Sequence, residues 1–123
     1  MYPGIFEIVA ADAGVTALLG SDPVRFWPFG IAPEHDDRPY AVHQAVFGTP
    51  ENTLSCVPDI DHFGIQVDVY ATTVSEARGV AEAVRDALET QSHLVAHNGE
   101  NWESATGLYR IGLTFEFWTL RTS

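Results

Sequence analysis

Asp61-His62-Phe63-Gly64-Ile65-Gln66-Val67-Asp68-Val69-Tyr70 passes directly into Ala71-Thr72-Thr73-Val74-Ser75-Glu76, and the change of period at that junction sets the fold class. Phe63, Ile65, Val67 and Val69 alternate with His62, Gly64, Gln66 and Asp68, which predicts a strand with one apolar face. Beyond it, Val74, Ala77, Val80, Ala81, Val84 and Leu88 recur at helical spacing, which predicts a helix over 73–90. Thr73 and Glu76 form a capping box: the hydroxyl takes one orphan amide and the carboxylate reaches back to another. The outer side of this helix carries Arg78, Glu82, Arg85, Asp86 and Glu89. Arg78 with Glu82, and Arg85 with Glu89, are expected pairs worth about 0.2–0.5 kcal/mol each. That side reads as a solvated face.

Upstream, Pro3 suits a first helical turn, and Ile5, Phe6, Ile8 and Val9 supply a short apolar stripe. Asp12 is placed to cap a second short helix bearing Val15, Leu18 and Leu19, with Gly20 as its stop. Val24 to Phe29 reads as a strand at an edge, because Pro28 has no amide for a ladder. After a loop over 30–39, residues 39–47 predict a strand apolar on both faces, covered on both sides or by a neighbouring molecule. Residues 48–59 are expected to form a long loop bracketed by Pro50 and Pro58. Leu94 to Ala96 predicts a short strand, followed by a polar stretch over 97–107 that contains Trp102. The last strand puts Tyr109, Ile111, Leu113, Phe115 and Phe117 on one face. The expected fold is α+β: a single domain over 1–123, with one mixed or antiparallel β-sheet, helices packed on one face and a long loop between strands.

The net charge of -11 disfavours nucleic-acid phosphates and anionic membranes, since the bases needed to displace counterions are few and scattered. Cys56 is the one cysteine, so no internal disulfide is implied, and the acid at Glu7 with no basic start argues against a signal peptide. A cytoplasmic site of synthesis is expected.

Candidates for chemistry are thin. His93 and His97 are four apart and would share a strand face, while Asp59, Asp61 and His62, and His35, Asp36 and Asp37, form two polar clusters. None matches a known metal loop, and exposed loop residues are the plainer reading. There is no Gly-x-Ser-x-Gly and no phosphate loop, and the acids near Cys56 disfavour a thiolate. Asp68 and Glu116 lie off the apolar faces of their strands. They could form an acid pair, meet Arg110 or Arg25 across the sheet, or lie at an interface; the paired or interface reading is favoured. Trp27, Trp102, Trp118, Phe29 and Leu54 fall outside the clear core faces, as a second small core or an assembly surface. No catalytic residue, metal or cofactor is expected.

The order of several segments resembles the small tail-completion, or tail-terminator, proteins of long-tailed non-contractile phages and related prophages. These segments are Pro3-Gly4-Ile5-Phe6-Glu7, Val24-Arg25-Phe26-Trp27-Pro28-Phe29-Gly30, Pro39-Tyr40-Ala41-Val42 and Gly48-Thr49-Pro50-Glu51-Asn52. Pro58-Asp59-Ile60-Asp61 follows, then Gln66-Val67-Asp68-Val69-Tyr70-Ala71 with the helix after it. The resemblance implies a small sheet with helices on one side and a ring of copies, typically hexameric, on the head-proximal end of the tail tube. The implied partners are further copies, the tail tube protein and a head-completion or connector protein, with DNA passing through the lumen without specific binding and no membrane. It implies a structural part of the virion tail, assembled in the bacterial host cytoplasm, and not an enzyme. Another virion component of similar fold, or less favourably a small metal-dependent enzyme, is the alternative.

A ring needs two unlike patches that meet. Glu51, Asn52, Leu54, Val57 and Asp59 of the 48–60 segment are the expected interface residues, together with the large apolar groups Phe29 and Trp118.

Overall fold

The computed structural model describes residues 4–21, 24–29, 39–51 and 60–120. The chain runs α1 (Ile5–Ala10), α2 (Ala13–Leu19), β1 (Phe26–Pro28), β2 (Tyr40–Glu51), β3 (Ile60–Ala71), α3 (Val74–Leu88), β4 (His93–Glu103) and β5 (Leu108–Leu120). The strands form one five-stranded mixed sheet in the order β1-β2-β3-β5-β4. β1 is parallel to β2, and every other neighbouring pair is antiparallel. This is the α+β architecture that the period change at residues 71–74 predicts.

The local signals act as expected. Thr73 Oγ1 accepts from the Glu76 amide at 3.1 Å, and Glu76 reaches back to Thr72 at 3.4 Å, so the helix starts where its capping box stands. Asp12 Oδ1 accepts from the Val15 amide at 3.0 Å and starts α2, and Gly20 ends it at φ 80°, a conformation that glycine adopts without a Cβ penalty. Ala77, Val80, Ala81, Val84 and Leu88 turn one side of α3 onto Ile65, Val67, Val69, Ile111, Leu113 and Phe115, all buried. α1 and α2 pack against α3 and deliver Ile5, Val9, Val15 and Leu19 to the same core.

Three expectations are corrected. Gly48 to Glu51 do not belong to the loop: they continue β2 and pair with Phe63 to Ile60. Pro50 lacks an amide, but β2 carries β1 only alongside residues 41–43, so no described strand bonds the outer edge there. The polar stretch after Ala96 is likewise strand: β4 runs to Glu103 on the sheet edge and is exposed along nearly its whole length. A strand with no buried face has no reason to alternate, so its period is silent. Finally, Arg78 does not pair with Glu82. Its Nε and Nη2 bond both oxygens of Glu100 on β4, at 2.6 and 3.0 Å. A bidentate fit to an adjacent strand wins over a helical neighbour. Arg85 does reach Glu89, at 3.5 Å.

His43 of β2 stacks on Phe26 of β1 at 4.7 Å between ring centroids, and its Nε2 is buried without a hydrogen-bond partner among the described residues. Burial holds its pKa below the ordinary 6.5. Above that value both folded and unfolded forms are neutral and the residue adds no pH dependence. As pH falls below it the unfolded chain binds a proton that the folded chain refuses, so stability drops. His43→Phe keeps the stack and removes the orphan nitrogen. Thermal unfolding followed from neutral to mildly acid pH is expected to show a smaller loss of Tm in this variant than in the wild type.

Candidate functional site

All three helices lie on one face of the sheet, so the strand alternation exposes a second face that no described helix covers. Register assembles it: Tyr40 opposes Tyr70, Val42 opposes Asp68 and Gln44 opposes Gln66 across β2 and β3. On the other side of β3, Tyr70 opposes Arg110, Asp68 opposes Gly112, Gln66 opposes Thr114 and His62 opposes Trp118.

The centre of this face is a buried carboxylate paired with a partly buried guanidinium. Asp68, 8% exposed, accepts from Arg110 Nη2 at 2.9 Å and from Gln66 Nε2 at 3.1 and 3.2 Å. Gly112 makes the room: a Cβ there would sit 3.1 Å from both Asp68 Oδ1 and Asn98 Cβ. Burial works against the Arg110 charge, but the Asp68 carboxylate, helped by Glu103, more than restores it and holds the guanidinium above its ordinary pKa. Burial first, then Asp68 and Glu103, push the Tyr70 phenol up, so it stays a neutral hydroxyl. At one end Tyr40 and Tyr70 stack at 5.0 Å. At the other His62 lies flat on Trp118 at 4.5 Å with an interplanar angle of 2°, and its Nε2 is 3.4 Å from Glu116 Oε1. His93 meets the same indole edge-on at 5.8 Å.

Of the readings open for Asp68 and Glu116, the structure selects pairing. Asp68 takes Arg110 and Glu116 faces His62, while Arg25 instead bonds the carbonyls of Pro39 and Leu18. The two carboxylates do not form an acid pair: Asp68 has the Arg110 guanidinium, and Glu116 lies beside the His62 ring. A polar centre with its charges satisfied, flanked by stacked aromatic rings, is chemistry for packing against another surface.

The expected interface residues fare differently. Trp118 is on this face and 45% exposed. Phe29 is elsewhere, 66% exposed just after β1, so it does not join Trp118 in one patch. Trp102 is exposed on β4. These three side chains therefore belong to the surface and not to a second small core. Glu51 ends β2, and Asn52, Leu54, Val57 and Asp59 lie outside the described residues. His93 and His97 do not share a face: His93 opposes Glu116 and His97 opposes Leu113, because a bulge at Val95 shifts the alternation by one. Among the described residues, no three His, Cys, Asp or Glu side chains group to hold a metal. The Asp68–Arg110 pair spans 42 positions, and only the shared strand face hinted at it in the sequence.

The chain matches the family model described as Tail completion protein gp17 over residues 3–120. No curated protein matches it. Among solved structures it is similar in fold to a chain of the virion of a native gene transfer agent particle, with a TM-score of 0.63 and 17% identity, over 94% of this chain and 91% of that one. With the family model covering nearly every residue of the described sheet and helices, the protein belongs to the phage tail-completion protein family, a structural part of the virion tail.

Proposed function

We propose that the protein caps the head-proximal end of the tail tube as a ring of identical copies, hexameric as in the proteins it resembles. The ring ends tube polymerisation and offers the surface to which the head joins. Family membership over residues 3–120 carries this reading. The uncovered sheet face supports it, because a polar centre with aromatic ends is suited to docking on other protein surfaces. The partners in this reading are further copies, the tube protein below and a head-completion protein above. Glu51, Asn52, Leu54, Val57 and Asp59, with Phe29 and Trp118, stay in it as contact residues. The net charge of -11 fits a lumen through which DNA slides by repulsion. The role is mechanical, with no catalytic step.

Deleting the gene from the parent phage and imaging the lysate tests it. Overlong, headless tails are the expected result. Tails of normal length beside unjoined heads would move the role to head joining alone, and unaltered infectious particles would end the proposal.

A further inference from the structure

The strands on either side of the β3–β5 centre both carry register slips. In β2 the register slips between Ala45 and Phe47, leaving Val46 as the extra residue, 46% exposed. In β4, besides a second slip between His97 and Glu100, it slips between Leu94 and Ala96, leaving Val95 as the extra residue, 50% exposed. A bulge turns its extra side chain out of the ladder and is a common device for re-aiming a residue. Both bulges lie on one row of the sheet: Ala45 opposes Ile65, Ile65 opposes Phe115 and Phe115 opposes Leu94.

Their surroundings differ. Beside Val46, where β1 stops short of β2, lies a hollow of about 170 Å³ lined by Ile5, Pro28, Phe29, Ala45 and Ile65, together with His43 and Gln44. None of these carries a carboxylate. Val95 sits between the uncharged Leu94 and Ala96. In a chain with a net charge of -11, most surfaces of two copies repel, and the hollow beside β1 is lined by no acid, while next to Val95 the Leu94 side chain shares a pocket with Arg78, Glu82 and Arg85.

The geometry points to a contact between copies in which Val95 of one chain packs against Val46 and into the hollow beside Phe29 of the next. This rests on the ring reading above and specifies its lateral interface. The occupant is a second copy, for two reasons. An exposed valine at one side of the sheet and an apolar hollow at the other are the unlike pair that a head-to-tail ring requires. A closed ring also has no rise from copy to copy, so touching groups must share a level along its axis. Two patches on one row of a sheet do so when the strands run along that axis.

The test uses tails assembled in the host from phage genomes carrying variants. In a Cys56→Ser background, Val46→Cys with Val95→Cys is expected to give a ladder of disulfide-linked multiples of this chain on non-reducing gels. Either cysteine alone should stay monomeric. Dimers from Val95→Cys alone would mean a self-complementary contact, and a cross-link to a different tail protein would mean another occupant; each overturns the inference. So would a double variant that stays monomeric in tails of normal length, an outcome that leaves the ring reading standing. Val95→Asp should give the overlong tails of the gene deletion with an unchanged Tm, whereas Val74→Asp, exposed at the start of α3, should give normal tails. Normal tails from Val95→Asp would overturn the contact.

Discussion

Phe115→Ala is expected to cost about 3–5 kcal/mol, a large share of the stability of a single domain. Phe115 is fully buried on the helix-covered face, opposite Ile65 on β3 and Leu94 on β4. Truncation removes the ring from water-excluded contact and leaves a cavity between two strands that cannot move together, since each is tied into a ladder on this row. Urea unfolding of the purified variant measures it. Phe29→Ala, at a ring 66% exposed, should change stability by no more than about 0.5 kcal/mol. Equal costs for the two would mean that the core is not where the buried face places it.

Asp68→Ala is the second large effect, at about 1–3 kcal/mol, because it strips the acceptor from a partly buried guanidinium and from the Gln66 amide together. The loss should shrink when Arg110→Met is already present, since no charge is then left uncompensated. A double-mutant cycle in urea reads the coupling directly. Full additivity would show that the pair contributes nothing and that Asp68 is held for another reason. The variant is also informative for assembly. A tail defect in Arg110→Met with a normal Tm would place the open face in a contact with another protein.

Much of this fold was legible because its signals are local. The change of period at residues 71–74, the Thr73–Glu76 box and the Asp12 cap each lie within a few residues, and each is found where the spacing puts it. What the sequence hid in β4 was hidden because the pattern reports burial, and strands at an edge have little. β4 carries His97, Asn98, Glu100, Asn101 and Glu103, and reads as a loop, although the β5 backbone holds it in the sheet. Gly48 to Glu51 read as a loop for a different reason, since glycine and proline there signal a turn while the ladder to β3 continues. The sequence points Arg78 to Glu82 because it shows only near neighbours, whereas its stronger partner, Glu100, is 22 positions away.

For the site, the sequence offered residue types and faces but no assembly. It put Asp68 and Glu116 off the apolar faces and marked Phe29 and Trp118 as spare, and both statements hold in the structure. It could not say that Phe29 and Trp118 lie in separate patches, or that His93 and His97 point to opposite faces, because a single inserted residue reverses every side chain after it.

The sequence by itself determined the α+β class, the capped central helix and the apolar face it covers, since these follow from periodicity and short-range hydrogen bonding. Only the tertiary structure decided which charges meet, where the ladders slip and which apolar groups stay outside. Those outcomes depend on strand order and register, and these are set by contacts between residues far apart in the chain.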